Sequence, residues 1–124
     1  KGIYSLGPLF YRADRIKKPI TKLRLIKIKK NMGWCDDIHN KKYNKLIKIH
    51  NEIKFEKIWR KDHIYDLLIP INYNSNKIIK NKGSAIFIHL TKNYKKTLGC
   101  IALKKNDFLI LLKLIKKNTK IQIN

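Results

Sequence analysis

Apolar positions along this chain recur with two different periods, and each period predicts a different kind of element. Over residues 22–29, KLRLIKIK, charged and apolar residues alternate, as in a half-buried strand whose side chains point to opposite faces in turn. Short apolar runs bounded by turn residues predict further strands at residues 64–74, 85–90, 100–103 and 120–123. Residues 33–44, GWCDDIHNKKYN, are rich in polar and turn residues and are predicted to form a loop.

Two segments are predicted to be helical. Residues 106–118 are the clearest case, because apolar residues are dense, Asn106 is a favourable N-cap and an acid follows it in the first turn. Residues 51–62 place acids early and bases late, as a helix dipole favours, and predict a short helix. Several strands with one strong helix in the C-terminal half define a mainly β fold class. At 124 residues the chain is long enough for one core, so residues 1–124 are predicted to be a single domain.

The charge of the chain is strongly one-sided, with 30 Lys and Arg against 8 Asp and Glu and a formal net charge of +22. Such a charge attracts polyanions. A nucleic-acid binder, however, favours clustered arginines beside exposed aromatic residues, whereas the lysines here are spread along the whole chain. We therefore favour compositional drift toward Lys, Ile and Asn, then attraction to an anionic polymer such as cell wall or membrane surface, and predict no nucleic-acid partner. No apolar run approaches the roughly 20 residues that span a bilayer, so no transmembrane helix is predicted.

The stretch AIFIHLTKNYKKTLGCIAL, residues 85–103, places a histidine in one apolar strand and a cysteine at the start of the next. If the two strands form an antiparallel hairpin, His89 lies opposite Cys100 and Phe87 lies opposite Ala102. Directly opposed residues have Cβ atoms about 4.5–5.5 Å apart. The hairpin hypothesis therefore brings an imidazole beside a thiol.

That pair of side chains suggests nucleophilic catalysis. A neighbouring imidazole stabilises a thiolate, the thiolate attacks a carbonyl, and the imidazolium then protonates the leaving amine. Gly99 permits a tight turn and a close substrate, and the backbone N–H of Cys100 could face the oxyanion. The alternative is structural: a cysteine in an apolar strand is often an inert small hydrophobe, and a histidine there is often a satisfied core residue.

Other residues with functional chemistry form weaker patterns. The cluster WCDDIH contains possible metal ligands, but a compact cluster without a second ligand pair favours a loop whose carboxylates cap backbone amides, so no metal is predicted. Cys35 could instead be the nucleophile, or form a disulfide with Cys100 that would abolish the proposed chemistry. Three residues near strand ends could line a substrate groove or be ordinary turn residues: Tyr73, Asn74 and Ser84.

The segment GSAIFIHLTKNYKKTLGCIALKKNDFLILLKLIKKNTKIQI resembles the catalytic end of the L,D-transpeptidase (YkuD-type) family. That family carries a histidine on one strand and then Ser/Thr-x-Gly-Cys; the matching positions here are His89, Thr97, Gly99 and Cys100. The upstream stretches PLFYRADR, GWCDD, YNKLI and WRKDHIYDLLIPINYN resemble one bacterial branch of the family, so the similarity covers nearly the whole chain. KGIYSLG resembles the end of the family's TP-x-G segment, which implies that N-terminal strands are missing here.

The resemblance implies a β-rich L,D-transpeptidase fold in the periplasm or cell envelope, acting without a cofactor on peptidoglycan stem peptides. Cys100, with His89 as base, would form a thioester with a donor stem, and an acceptor amine would complete the cross-link. Water in place of the amine would give L,D-carboxypeptidase activity. Thr97, Ser84, Tyr73 and Asn74 would contact substrate.

The chain also departs from the family pattern. Ala102 stands where many members have Arg, and Leu90 stands where many have Gly, so the type of cross-link and the donor stem length are left open. The alternative function is a non-catalytic basic module that binds anionic cell-wall polymer. The sequence assigns no oligomeric state.

Overall fold

The computed structural model describes residues 2–50, 52–73, 83–92 and 100–123, which contain ten strands, one helix and three sheets. The strands are β1 Gly2–Ser5, β2 Leu9–Tyr11, β3 Leu25–Lys27, β4 Met32–Cys35, β5 Leu46–Lys48, β6 Phe55–Lys57, β7 Leu67–Pro70, β8 Phe87–Leu90, β9 Ile101–Leu103 and β10 Lys120–Ile123. The helix, α1, spans Lys105–Leu114. The mainly β fold class with one helix in the C-terminal half is thus confirmed.

The central sheet has five strands in the order β3-β2-β7-β8-β9. Its outer pairs, β2 with β3 and β8 with β9, are parallel, and its inner pairs are antiparallel. A second sheet of three antiparallel strands has the order β5-β4-β6. β1 and β10 form a separate antiparallel pair that brings the two ends of the described chain together.

Side chains of the central strands alternate between two apolar cores, one on each face of the sheet. The helix-side core contains Leu9, Tyr11, Leu67, Ile69, Ile88, Leu90, Phe108, Leu112 and Ile115. The opposite core contains Phe10, Ile28, Ile58, Tyr65, Leu68 and Phe87, and Trp34 of β4 packs against it. Because both faces are covered, β2 and β7 are apolar throughout, as expected for strands buried on both sides, and β8 is apolar except at His89.

Several predicted elements are confirmed with shifted bounds. The predicted strands at residues 22–29, 64–74, 85–90 and 100–103 contain the shorter β3, β7, β8 and β9, and the strand at residues 120–123 is β10. The helix begins at Lys105, with Lys104 rather than Asn106 as its N-cap, and ends before the predicted limit. The loop predicted at residues 33–44 is wrong at its start, because β4 extends to Cys35.

The predicted helix at residues 51–62 is also wrong, since Phe55–Lys57 forms strand β6. β6 pairs with β4, with Phe55 opposite Cys35 and Lys57 opposite Gly33. Gly33 leaves the space that the Phe55 ring fills, since a Cβ there would lie 2.9 Å from Phe55 Cδ2. A long-range pairing thus overrides the local helical preference, as tertiary context commonly does.

Among the described residues, no helix is long and apolar enough to cross a membrane.

The attachment of α1 to the sheet predicts different effects for two leucines on the same helix. Leu112 is fully buried and Leu114 is 71% exposed. Replacing Leu112 by Ala removes buried methyl groups and leaves a cavity, so we expect the free energy of unfolding to fall by about 2–5 kcal/mol. The same substitution at Leu114 should change it by less than about 0.5 kcal/mol. Urea denaturation of both variants measures the difference, and equal losses would contradict the packing of α1.

Candidate active site

Strands β8 and β9 pair in parallel, which corrects the predicted antiparallel hairpin. Ile88 lies opposite Ile101, and His89 lies opposite Ala102 rather than opposite Cys100. Directly after β8, the N–H of Thr91 donates to the carbonyl of Leu103 in β9 at 2.8 Å. Cys100 immediately precedes β9, so it is a diagonal neighbour of His89 instead of its direct partner.

His89 and Cys100 nevertheless share one face of the central sheet. Ile88 and Leu90 belong to the helix-side core, whereas Phe87 belongs to the opposite core, so alternation puts His89 on the side of Phe87. Cys100 packs against that same opposite core. Because adjacent strands lie about 4.8 Å apart and each residue rises about 3.3 Å, diagonal neighbours on one face of a sheet lie roughly 8 Å apart. The face away from α1 therefore holds both groups.

The ring of His89 is held in one orientation by its own strand. The side chain is half-buried, and Nδ1 donates to the backbone carbonyl of Leu90 at 2.9 Å. A carbonyl oxygen only accepts, so Nδ1 carries the hydrogen, and in the neutral ring Nε2 is free to accept a proton. The ring also meets Tyr65 edge-on, with centroids 5.8 Å apart. The neutral ring of His89 thus presents Nε2 as its accepting nitrogen.

Cys100 is half-buried and is not disulfide-bonded. Its Sγ donates to the backbone carbonyl of Ala85 at 3.3 Å. Burial is the main reason why the pKa of the thiol is raised; a backbone hydrogen bond at Phe87 opposes the shift, and the charge of Glu56 adds to it. The resting group is therefore a thiol at neutral pH.

Ala85, whose carbonyl receives the thiol, has an unusual backbone with φ of 55°. Residues with a Cβ rarely adopt this left-handed region, so the conformation needs support from its surroundings. Asn44 gives that support: its Oδ1 accepts from the N–H of Ala85 at 3.2 Å and from Trp34 Nε1 at 2.9 Å. Asn44 Nδ2 donates to the carbonyl of Tyr73 at 2.8 Å. The buried side chain of Asn44 thereby links Trp34, Tyr73 and Ala85, the residue whose carbonyl accepts the Cys100 thiol.

Tyr65 lies between the histidine and the three-stranded sheet. Its hydroxyl donates to Glu56 Oε2 at 2.8 Å, and its ring packs edge-on against Phe87 with centroids 5.6 Å apart. Burial, Glu56 and Cys100 all raise the pKa of Tyr65, so the phenol stays protonated. The preceding carbonyl, of Ile64, accepts from the N–H of Leu90 at 2.9 Å. Tyr65 and the strand that carries His89 are thus directly joined.

Two arginines fix the segment that leads to Tyr65. The Arg12 guanidinium lies 3.5 Å above the Trp59 ring and donates to the carbonyl of Arg60 at 2.8 Å. Arg15 donates to the carbonyl of Asp62 at 2.7 Å and forms an ion pair of 2.9 Å with buried Asp66. Arg12 is itself buried, so its stacking and hydrogen bonds are shielded from water. The position of Tyr65 is therefore set by contacts with β2 and the turn that follows it.

The other residues predicted to contact substrate have different surroundings. The Ser84 hydroxyl donates to Asp36, and Tyr73 packs edge-on against Tyr4 with centroids 5.4 Å apart. A Cβ on Gly83 would come within 3.5 Å of the Tyr73 ring, so Tyr73 lies beside the turn that leads to β8. Asn74, Thr97 and Gly99 lie outside the described residues. Substrate contact by all of these remains a prediction.

Side chains of the cluster WCDDIH are buried or form hydrogen bonds within the protein. Cys35 is completely buried in β4, and Asp37 Oδ1 accepts the backbone N–H of His39 at 2.9 Å, as a capping carboxylate does. Asp36 accepts the Ser84 hydroxyl. Within the part of the chain that the structure describes, no group of three or more His, Cys, Asp or Glu side chains is arranged to hold a metal ion.

Three residues around the site were not predicted from the sequence: Asn44, Tyr65 and Glu56. Asn44 stands in a polar loop sequence where a turn residue is ordinary, and its left-handed φ of 61° follows from its contacts. Tyr65 is an aromatic residue just before an apolar strand, a pattern that predicts core packing. Glu56 lay in the segment wrongly predicted as helix. Recognising β6 as a strand would have placed Glu56 opposite Trp34 and drawn attention to it.

Comparison with known proteins identifies a family across nearly the whole chain. A family model described as the L,D-transpeptidase catalytic domain, YkuD, matches residues 1–123. No curated protein and no solved structure matches the chain significantly. The matched range includes both His89 and Cys100.

The burial of Cys100 predicts how its alkylation depends on pH. Because burial raises the pKa of the thiol, the thiolate fraction should increase at higher pH than in a free thiol. We expect the rate of labelling by iodoacetamide, followed by intact mass from about pH 6 to pH 11, to have a midpoint above that of glutathione. A Cys35→Ala variant should give the same profile, since Cys35 is completely buried. A midpoint below that of glutathione would contradict the described environment.

Proposed function

Because the chain belongs to the L,D-transpeptidase catalytic-domain family, we propose that it is a cysteine acyltransferase that cross-links peptidoglycan stem peptides in the cell envelope. The family acts on peptidoglycan, and its catalytic domain supplies the general activity. We assign the nucleophile to Cys100 and the base to His89. The observation that carries this assignment is the Nδ1 bond of His89 to Leu90, which leaves Nε2 as the accepting nitrogen on the face where Cys100 packs.

The first half-reaction begins with proton transfer. Rotation about the Cβ–Sγ bond turns the thiol hydrogen from the Ala85 carbonyl toward His89 Nε2, which accepts it. The thiolate attacks the donor carbonyl, a C–S bond forms and the C–N bond to the terminal residue breaks. The imidazolium then gives its proton to the departing amine. Tyr65 and the carbonyl of Leu90 hold the ring while its charge changes.

The second half-reaction releases the acyl group from Cys100. An acceptor amine that attacks the thioester gives a cross-link, and water gives the carboxylic acid of a carboxypeptidase reaction. Both nucleophiles lose a proton that His89 Nε2 accepts and returns to the departing sulfur. The same base therefore serves both outcomes, and the nucleophile that reaches the thioester first decides between them.

A second candidate function has separate support from a cleft on the three-stranded sheet. The described residues that line it include Lys29, Lys41, Lys42, Lys48 and His50 and no carboxylate, around an apolar floor that contains Met32. This charge favours anionic groups and supports the alternative of a module that binds anionic wall polymer. Binding to isolated peptidoglycan without any covalent adduct at Cys100 would favour this second function over the enzyme.

Substitution of the nucleophile tests the proposed activity. A carbapenem offers an activated acyl carbonyl, so the wild-type chain should gain the mass of the drug at Cys100 within minutes to hours. Cys100→Ala should form no adduct, whereas Cys35→Ala should form it like the wild type, because Cys35 is completely buried. Intact-mass and peptide mass spectrometry measure both, with circular dichroism to confirm folding. Acylation of Cys100→Ala would remove Cys100 from the mechanism.

Substitution of the base tests the role of His89. Without Nε2 the thiol must lose its proton to water, so His89→Ala should slow acylation at neutral pH by about 10²–10⁴-fold. The loss should shrink as the pH rises toward the pKa of the thiol, because hydroxide then supplies the thiolate. His39→Ala, at an exposed loop histidine, is the matched control and should acylate at the wild-type rate. A wild-type rate for His89→Ala would exclude general-base catalysis by this residue.

A further inference from the structure

A carboxylate lies beside the proposed catalytic pair without a role in the first half-reaction. Glu56 Oε2 accepts the hydroxyl of Tyr65 at 2.8 Å, and the Tyr65 ring meets His89 edge-on. Tyr65 also meets Phe87, which belongs to the core that Cys100 packs against. One aromatic ring therefore separates the carboxylate from the imidazole. The Glu56 side chain remains 37% exposed, so a solute can reach it.

The charge of Glu56 opposes formation of the nucleophile. It raises the pKa of the Cys100 thiol, although less than burial does. Arg60 only partly offsets this charge: its Nη1 lies 3.8 Å from Glu56 Oε2, while its Nε and Nη2 bond to Asp62 at 2.9 and 2.6 Å. Gln would also accept the Tyr65 hydroxyl, although a carboxylate accepts it more strongly. Holding Tyr65 in place therefore does not by itself require the negative charge.

We propose that Glu56 binds the ammonium group of the acceptor, the amine nucleophile of the second half-reaction. The inference rests on the proposed function and adds a recognition site to it. The chain has a net charge of +22, which repels a cationic nucleophile at a distance. An exposed carboxylate near the thioester provides a local attraction, and a partly desolvated one acts more strongly than one in bulk water. Water carries no charge, so Glu56 favours cross-linking over hydrolysis.

The bound ammonium releases one proton through the Glu56 carboxylate to solvent, and the neutral amine attacks the thioester carbonyl. The new C–N bond forms, the C–S bond breaks, and the proton lost by the attacking nitrogen passes to His89 Nε2. His89 returns this proton to the departing sulfur. The products are the amide, the Cys100 thiol and one proton in solution.

The test compares wild type with Glu56→Gln, which keeps an acceptor for the Tyr65 hydroxyl but removes the charge. Each protein is given a synthetic tetrapeptide donor with either glycinamide, a primary amine that is largely ammonium at pH 7, or hydroxylamine, which is largely neutral there. Mass spectrometry measures the ratio of aminolysis to hydrolysis. The acylation rate is measured separately with a carbapenem.

We expect Glu56→Gln to lower the aminolysis ratio for glycinamide about fivefold, equivalent to about 1 kcal/mol, and to leave the ratio for hydroxylamine as in wild type. Acylation at pH 7 should become faster, because the thiol loses a neighbouring negative charge. The glycinamide effect should shrink in 1 M salt. Glu52→Gln, at an exposed acid beside His50, is the charge-matched control and should match wild type throughout.

The outcomes separate this inference from the proposed function. A wild-type chain that forms no adduct with the carbapenem overturns both. A wild-type chain that forms the adduct but gives only hydrolysis overturns the acceptor site together with the cross-linking activity, and leaves acyl transfer to Cys100 in place. An unchanged glycinamide ratio in Glu56→Gln overturns the acceptor site alone, and so does an equal loss with both amines, because that result indicates a structural role for Glu56.

Discussion

In the five-stranded sheet, odd and even positions of each inner strand face different cores, and this alternation determines where the reactive groups lie. Ile88 and Leu90 anchor β8 to the core under α1, so His89 must face the other way. Shifting β8 by one residue would bury His89 under the helix and turn Ile88 and Leu90 toward the opposite core. Ile88 and Leu90 therefore hold His89 on the face where Cys100 packs.

The cysteine depends on a different constraint, because Cys100 lies just outside β9 and its surroundings come from distant parts of the chain. Ala85 presents its carbonyl to the thiol from a left-handed backbone, and Asn44 bonds to the N–H of the same residue. Asn44 is buried and also accepts from Trp34, so it links the three-stranded sheet to the segment before β8. Residues of the second sheet thus help to determine the geometry at Cys100, the proposed nucleophile.

These contacts explain which features the sequence could predict. Alternation and apolar spacing locate β8, β9 and α1, because those elements bury their apolar residues locally against the sheet. Alternation does not reveal strand direction: Ile88 lies opposite Ile101 in the predicted antiparallel pair and in the observed parallel pair alike. β6 and the Asn44 bonds depend on partners far along the chain, which no local pattern records. The elements that carry His89 and precede or follow Cys100 were therefore predictable, whereas the register between them and the position of Glu56 were not.

In the proposed mechanism, the environment of Cys100 makes proton transfer decisive in both half-reactions. Burial raises the pKa of the thiol, so little thiolate exists at rest and a base must generate it. A thiol of high pKa is also a poorer leaving group, so the departing sulfur needs a proton. His89 can meet both needs, because its Nδ1 bond to Leu90 is compatible with the neutral ring and with the imidazolium. In the proposed mechanism, the burial that raises the pKa of the thiol therefore increases the dependence of the chemistry on one nitrogen, Nε2 of His89.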